Sequence, residues 1–90
     1  MNKYPITVGS VVISRLGRDE GRPFIVMREI DADFVEIADG KLRGMDRLKK
    51  KRRKHLKTTG IFIAEVPERM AQGPAIENHE VRSWLKREET

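Results

Sequence analysis

Three short apolar runs, separated by turn-forming residues, occupy residues 8–39 and constrain the fold of this chain more than any other feature. The runs are rich in valine and isoleucine, whose branched side chains favour strands over helices. We therefore expect strands at residues 10–15, 22–30 and 34–38. The glycines within residues 16–21 predict a loop between the first two strands, and Asp39 followed by Gly40 is a hairpin turn signal.

Beyond Gly40 the apolar pattern weakens before it returns. Residues 43–54 contain few apolar positions, with neither helical nor strand spacing, and predict a long basic loop. Residues 55–63 return to strand-forming chemistry, with Thr58, Thr59 and Ile61 among them. Four or five short strands with local connections predict a mainly β fold, in the form of a small twisted barrel that leaves no exposed sheet edge.

The last third of the chain changes character. Prolines and a glycine within residues 67–74 interrupt regular structure, and a short helix is expected after them with Asn78 as its N-cap. One side of this helix carries Val81, Trp84 and Leu85. So short an apolar stripe does not make a stable helix by itself. We therefore expect the helix to dock on the barrel or on a partner, or to be disordered when free.

Ninety residues with 38% hydrophobic content predict one domain with a modest core and little room for a deep catalytic cleft. We expect residues 1–66 to form the barrel, including a basic loop at 41–57, and residues 67–90 to form a linker and the short helix. The absence of cysteine excludes disulfides and thiolate metal sites and fits a reducing compartment. No apolar run approaches the length of a membrane span, so a cytoplasmic protein without a membrane partner is expected.

Positive charge is concentrated in one segment. Residues 41–57 contain ten Lys or Arg against one acid, Asp46, which gives the segment a charge of +9 in a chain of net charge +5. Clustered like charges repel one another in the free protein, and a bound polyanion relieves that repulsion. The segment therefore predicts binding to nucleic acid, driven by the release of condensed counterions. The alternative interpretations are a solvated charge run and a nuclear localisation signal.

Residues 8–34 resemble the KOW motif, which is shared by several ribosomal proteins and by NusG-like transcription elongation factors. The resemblance rests on the hydrophobic alternation around residues 11–13 and on Gly21, which falls at the position of the motif's hallmark glycine. Residues 35–40, followed by a basic segment ending in His55 and Leu56, are similar to KOW-bearing large-subunit ribosomal proteins of archaea and eukaryotes. The similarity is closer still to small stand-alone bacterial KOW proteins described as ribosomal-protein-like and RNA-binding.

This resemblance implies an SH3-like β-barrel that contacts RNA through the loop joining its first two strands. By position, that loop is residues 16–21. The side chains that it would present are Arg15, Arg18 and Arg22. Asp19 and Glu20 place an acidic pair at the loop tip, so we expect the segment at 41–57 to contribute more to binding than the loop does.

The predicted function is a non-catalytic RNA-binding protein, ribosome-associated or translation-related. Its expected partner is RNA, in particular ribosomal RNA of the large subunit, with ribosomal or transcription proteins as further partners. Lys and Arg without interleaved aromatic residues favour contacts with the phosphate backbone over base recognition. RNA is preferred to DNA through the resemblance alone. The predicted RNA-binding side chains are Arg15, Arg18, Arg22, Lys41, Arg43, Arg47, Lys49, Lys50, Lys51, Arg52, Arg53, Lys54, His55 and Lys57. For His55, structural packing is an equal alternative.

No catalytic, metal or cofactor site is predicted. Asp31 and Asp33 lie in a tight turn, and turn propensity explains both carboxylates. Residues 17–21 lack the spacing of a phosphate-binding loop. His79 is expected to be exposed and without a nearby carboxylate at ligand spacing.

Two other classes stay open. The first is a protein-interaction adaptor that docks a transcription or translation factor through the barrel face and the helix carrying Trp84. One tyrosine and one tryptophan make an aromatic-lined peptide groove hard to build, which disfavours the adaptor. The second is a DNA-binding architectural protein.

Overall fold

The computed structural model of the protein describes residues 4–89. The described chain contains five strands followed by two helices. The strands are β1 (Ser10–Ser14), β2 (Pro23–Glu29), β3 (Phe34–Ala38), β4 (Lys49–Arg52) and β5 (Leu56–Phe62), and the helices are α1 (Glu65–Gln72) and α2 (Asn78–Glu89). Short 3₁₀ turns lie at Gly17–Asp19, between β1 and β2, and at Arg53–His55, between β4 and β5.

The five strands form one antiparallel sheet in the order β4-β3-β2-β1-β5. The prediction of a mainly β fold with a C-terminal helix is confirmed. The strands predicted at 10–15, 22–30 and 34–38 differ from β1, β2 and β3 by at most one residue at either end. β-branched runs bounded by glycine and aspartate were therefore sufficient to locate the centre of the sheet.

The connection from β4 to β5 makes the sheet curl. These strands occupy opposite edges of the sheet, yet a single 3₁₀ turn joins them. The four Cα–Cα steps from Arg52 to Leu56 extend at most about 14 Å, whereas the edges of a flat five-stranded sheet are about 19 Å apart. The 3₁₀ turn is hydrogen-bonded to both ends of the path between β4 and β5. Arg53 N donates to Asp33 O, and Arg15 N donates to His55 O, each at 2.8 Å. No ladder joins β4 to β5 within residues 4–89, so the curled sheet is open along that line.

Both faces of the sheet are buried, and each has its own apolar cluster. Alternate side chains of a strand point to opposite faces, so Val11 of β1 lies in one cluster and Val12 in the other. The inner cluster is formed by Ile6, Val12, Phe24, Val26, Val35, Ile37 and Leu56. The outer cluster joins Val11, Ile25, Met27, Ala38 and Ile63 to the helix residues Val66, Ile76, Val81, Trp84 and Leu85. Burial of both faces explains why residues 24–27 are apolar without alternation.

The basic segment corrects the prediction of a long loop at residues 43–54. Residues 49–52 form β4, which pairs in antiparallel register with β3 from Ile37↔Lys49 to Phe34↔Arg52. Apolar spacing, the usual sequence signal for a strand, is absent from residues 49–52, so the sequence does not predict β4. At an open sheet edge, the backbone ladder to β3 is enough, and lysine and arginine are common side chains on edge strands.

The C-terminal helix is confirmed, and it docks on the sheet. Trp84 and Leu85 are each 8% exposed and belong to the outer cluster. Asn78 does not cap this helix as expected, because its Oδ1 accepts a hydrogen bond from Met45 N at 2.7 Å. Glu77 takes the capping position: its carbonyl accepts from Val81 N at 3.3 Å, and its N–H donates to Glu80 Oε1 at 3.1 Å.

The preceding helix α1 was not anticipated, and it occupies most of the segment that the sequence assigned to a linker. Pro67 was interpreted as an interruption, but it lies in the first turn of α1, where the backbone N–H has no intrahelical partner to lose. Val66 is fully buried in the outer cluster and anchors the helix to the sheet. α1 ends at Gly73, whose φ of 75° suits glycine.

Candidate nucleic-acid interface

Pairing with β3 divides the basic segment between the two faces of β4. Lys49 and Lys51 lie opposite Ile37 and Val35, so they share the inner face of the sheet and are half-buried. Lys50 and Arg52 point to the outer face and are exposed. The centre of the predicted binding segment, residues 49–52, is therefore an edge strand with two cationic sides, and the sheet fixes the spacing of its cations.

An aromatic ring lies beneath the outward cations. Lys50 Nζ is 4.5 Å and Arg52 Cζ is 4.8 Å from the ring centroid of Phe34. The face of an aromatic ring attracts cations, at about 0.5–1 kcal/mol for an exposed pair. Phe34 therefore holds two like charges side by side. Sequence spacing does not predict this arrangement, because the aromatic residue comes from β3 and only the strand register brings it under β4.

Arg53 differs from its neighbours in the basic run. Its Nη1 donates to Ile6 O at 2.7 Å, its Nε to Asp31 O at 3.1 Å, and its Nη2 to Glu29 Oε1 at 2.8 Å. The guanidinium thus ties the N-terminal segment and the β2–β3 turn to the end of β4. The structure places this predicted RNA-binding residue in a structural position.

Arg43 is also turned towards the protein, and it changes the charge of the loop between β1 and β2. Its Nη2 lies 3.5 Å from Asp19 Oδ2, and the Asp19 side chain is only 8% exposed. The expected acidic pair at the loop tip is therefore corrected: Asp19 faces inwards and only Glu20 remains at the surface. The cause is the long-range partner Arg43, which the local sequence of the loop does not contain.

The loop between β1 and β2 presents the arginines that the sequence assigned to it. Arg15, Arg18 and Arg22 are all exposed. Gly21 has a φ of 83° and open space around the position of a Cβ, so its role is conformational. The loop adjoins β4, since Lys51 Nζ donates to Leu16 O at 3.5 Å. The loop and the basic segment were predicted separately as binding elements, and the structure brings them next to each other at Lys51.

The other predicted cations are more dispersed. Lys41 and Arg47 are exposed in the connection between β3 and β4, Lys54 lies in the 3₁₀ turn, and Lys57 points outwards from β5. His55 is half-buried in the same 3₁₀ turn. Desolvation lowers its pKa, and the nearby cations Lys54, Lys51, Arg52 and Arg15 lower it further. A neutral imidazole offers one donor and one acceptor, so His55 adds no charge of its own to this surface at neutral pH.

Two groups of carboxylates have the residue types of metal ligands. Asp31 Oδ1 accepts from the backbone N–H groups of Asp33 and Phe34, each at 2.8 Å, and these bonds lower the pKa of Asp31. They support its interpretation as a turn residue. The second group contains Glu77, His79 and Glu80, whose ligand atoms lie within 4.8 Å of one another. The expectation that His79 has no nearby carboxylate is thus wrong, because Glu77 Oε2 is 3.9 Å from its Nε2.

Arg69 already occupies the oxygens that a metal at this second group would need. Its Nη1 and Nη2 donate to Glu80 Oε2 and Oε1 at 2.7 and 2.9 Å. This pairing is the main cause that lowers the pKa of Glu80 to about 2. Coordination of a cation by Glu80 would displace the guanidinium that joins α1 to α2, so the cluster is better explained as a helix junction.

No protein-family model matches this chain, and no curated protein matches it significantly. The KOW resemblance therefore stays a prediction. Among the described residues, no helix is long and apolar enough to cross a membrane.

Proposed function

We propose that this chain is a non-catalytic RNA-binding protein that contacts ribosomal RNA through β4 and the adjoining β1–β2 loop. One observation carries the proposal. Within residues 4–89, Arg43 and Arg53 are the only cations of the basic segment that form ion pairs with carboxylates. The remaining cations of the segment are Lys41, Arg47, Lys49, Lys50, Lys51, Arg52, Lys54 and Lys57.

The physical reason is the energy of like charges held at fixed spacing. A ladder to β3 keeps Lys49, Lys50, Lys51 and Arg52 close together, so their repulsion is present before any ligand binds. A phosphate backbone relieves this repulsion and releases condensed counterions, which makes binding favourable and strongly salt-dependent. Because the cations lie on a strand, the backbone that carries them is already ordered, and binding costs little backbone entropy. The predicted long loop, by contrast, would have to become ordered on contact with RNA.

The proposal includes an SH3-like barrel as the scaffold. The curl of the sheet and the 3₁₀ turn between its edge strands support a near-closed arrangement in which β4 and the β1–β2 loop face the same ligand. The preference for RNA over DNA, and for ribosomal RNA of the large subunit, comes from the KOW resemblance. Recognition is expected to follow backbone shape and charge, because lysine side chains act as point charges.

The test uses the double variant Lys50→Gln with Arg52→Gln and a matched control, Arg28→Gln with Arg87→Gln. Both variants remove two positive charges, but Arg28 and Arg87 lie outside the proposed surface and already pair with Glu36 and Glu65. Affinity for a fluorescent RNA hairpin is measured by anisotropy across a series of KCl concentrations. The β4 variant should bind roughly tenfold or more weakly and lose about two from the salt slope, whereas the control should stay close to wild type.

Equal affinities of the β4 variant and the control would contradict the proposed surface. A DNA duplex at matched salt distinguishes an architectural DNA-binding protein, which would prefer that probe. Association with ribosomes is tested by sedimentation of the tagged protein from lysate. Migration with the large subunit that is lost on RNase treatment or at high salt is expected, and migration as free protein would contradict a ribosomal partner.

A protein-interaction adaptor is the second candidate, and one observation favours it. Phe62 is 54% exposed and Tyr4 is 49% exposed, and both line a groove of about 190 Å³ beside β5. Aromatic side chains are enriched where proteins meet. Pull-downs with wild type and with Phe62→Ser, after nuclease treatment, test this role. A partner that survives nuclease and is lost in the variant would support the adaptor.

A further inference from the structure

A second cationic surface lies where α2 meets the turn after β3. A groove of about 690 Å³ separates the start of β2 from one side of α2 and the Gly40 turn. We call it the α2 groove. Its charged lining consists of Arg22, Lys41, Arg82, Lys86 and Asp39, and its apolar floor includes Leu85. None of the helix residues belongs to the basic segment.

The groove side of α2 is set by helical spacing. His79, Arg82, Ser83 and Lys86 follow one another at intervals of three, one and three residues, which places them along one side of the helix. The neighbouring side carries Val81, Trp84 and Leu85 into the outer cluster. Docking of the apolar stripe therefore fixes where the cationic stripe points, and it brings Arg82 and Lys86 towards Arg22 and Lys41 of the sheet.

The position of α2 against the turn is closely determined. Arg82 Nη1 donates to Gly40 O at 2.5 Å, and Asn78 Oδ1 accepts from Met45 N at 2.7 Å. A Cβ on Gly40 would lie 2.5 Å from Asn78 O, so only glycine permits this approach. The groove is thus formed before a ligand binds, and the guanidinium of Arg82 retains further donors after its bond to Gly40.

The single carboxylate of the groove is directed at its own turn. Asp39 Oδ1 accepts from Lys41 N and from Arg43 N, each at 2.9 Å. Four cationic side chains from three separate parts of the chain therefore face the groove against one anion that is bonded to backbone amides. Arg22, Lys41 and Lys86 form no ion pair with a carboxylate of residues 4–88, the part of the chain whose side chains the structure describes.

We propose that the α2 groove binds phosphate groups of the RNA strand, as a second contact that extends the binding surface from β4 to the C-terminal helix. This inference rests on the proposed function. A phosphodiester is an anion that accepts hydrogen bonds. The groove offers it the point charges of the lysines and the forked guanidinium of Arg82, in a groove open to solvent. Arg22 would serve both surfaces, because it lies at the end of the β1–β2 loop and also lines the α2 groove.

The test compares Arg82→Gln with Lys86→Gln against the control Arg28→Gln with Arg87→Gln, using the same RNA hairpin. The α2 variant should bind roughly tenfold more weakly than wild type, and its salt slope should fall by about two. Because Arg82 also bonds to Gly40, the single change Lys86→Gln is measured beside Arg87→Gln on the same helix. The Lys86→Gln change should lower the salt slope of RNA binding by about one and leave the melting temperature unchanged.

The outcomes separate this inference from the proposed function. If wild type does not bind the hairpin, both fail. If the β4 variant loses affinity while the α2 variant matches its control, only the α2 groove is excluded. Adenosine monophosphate tests a free phosphorylated ligand as the source of the phosphate, followed through the backbone amide signals of Lys41 and Ser83 by NMR. Saturable binding of the nucleotide, together with unchanged RNA affinity in the α2 variant, would overturn the assignment to RNA.

Discussion

The basic edge strand β4 and the junction between α1 and α2 are both rich in charge, but they use it differently. At the junction, Arg69 donates to both carboxylate oxygens of Glu80 and also to the carbonyls of Pro74 and Ala75 at 2.7 and 3.0 Å. On β4, the cations Lys50 and Arg52 both lie over the ring of Phe34. Neither forms an ion pair with a carboxylate within residues 4–88, although the charge of Lys50 contributes to lowering the pKa of Asp31.

The difference separates charge that stabilises the fold from charge that is available to a ligand. At the junction, a forked guanidinium and a carboxylate satisfy each other, so neither attracts an external ion strongly. On the edge strand, the cations oppose folding through their mutual repulsion, and an external polyanion relieves it. Charge density alone does not distinguish these cases. The partners of each side chain do.

The sharpest test of this comparison uses Arg53. This residue belongs to the basic run by sequence, but its side chain is bonded within the protein, as that of Arg69 is at the junction. Replacing it in Arg53→Ala removes three hydrogen bonds and leaves the carbonyl of Ile6 without its charged donor. We expect the free energy of unfolding to fall by roughly 2–3 kcal/mol. Urea denaturation measures it, with Lys54→Ala as the control: Lys54 is the next residue and is exposed. A surface change of that kind is expected to stay within about 0.5 kcal/mol.

Equal stabilities of these two variants would place Arg53 with the binding cations and would break the division proposed here. The same preparation allows RNA affinity to be compared. Because the donors of Arg53 are engaged within the protein, Lys54→Ala should weaken RNA binding more than a folded Arg53 variant does at matched salt.

The pH dependence of stability tests the junction between α1 and α2, through the carboxylate of Glu80. Its pKa is about 2 in the folded protein against an ordinary value of 4.5, because Arg69 bonds to its charged form. A depressed folded pKa means that the contribution to stability is fully present above about pH 4.5 and is lost as the pH falls towards 2. We expect Glu80→Gln to be less stable than wild type at pH 6, with a difference that shrinks progressively below pH 4.5.

Urea denaturation at several pH values between 2 and 6 measures this difference directly. The backbone hydrogen bonds from Asp33 and Phe34 also lower the pKa of Asp31, but Asp31 is common to both proteins and cancels in the comparison. A difference that stays constant from pH 6 to pH 2 would show that Glu80 acts through its shape rather than its charge.

The sequence predicted most of the sheet because β1, β2 and β3 are buried on one or both faces, and burial imposes an apolar pattern. β4 could not be predicted in this way. Its strand conformation comes from the ladder offered by β3, and its side chains are lysine and arginine at every position. α1 was missed because a proline is informative only when its position within the helix is known.

The candidate site was predicted in its composition but not in its arrangement. The density of Lys and Arg predicts the basic segment as a whole. It does not predict that Arg43 and Arg53 differ from the others, because their partners Asp19, Glu29 and Ile6 are far away in the chain. Arg82 and Lys86 gave no signal because charged residues on the solvent side of an amphipathic helix are expected in any case. Only the docked position of α2 shows that they face Arg22 and Lys41.

The smallest expected effect concerns the stability of β4 itself. Removing charge in Lys50→Gln with Arg52→Gln relieves repulsion along the strand but also removes two cation–ring contacts, each worth about 0.5–1 kcal/mol. Added salt screens the repulsion, since the Debye length falls from about 30 Å at 0.01 M to about 3 Å at 1 M. The cation–ring distances are much shorter than the Debye length at low salt, so added salt weakens these contacts less than it weakens the repulsion. The stability of wild type should therefore rise with NaCl more than that of the variant.

The measurement is urea denaturation of both proteins at 0.02 and 0.5 M NaCl, where the difference between them should change by about 0.5 kcal/mol, the scale of exposed charge pairs. Phe34→Leu serves as the control, because it removes the ring and keeps both cations, so its response to salt should match wild type. If salt stabilises the charge-removed variant as much as wild type, repulsion along β4 is negligible in the free protein. The edge strand would then gain nothing from a bound polyanion beyond the contacts themselves, and the contrast with the Arg69–Glu80 junction would rest on geometry alone.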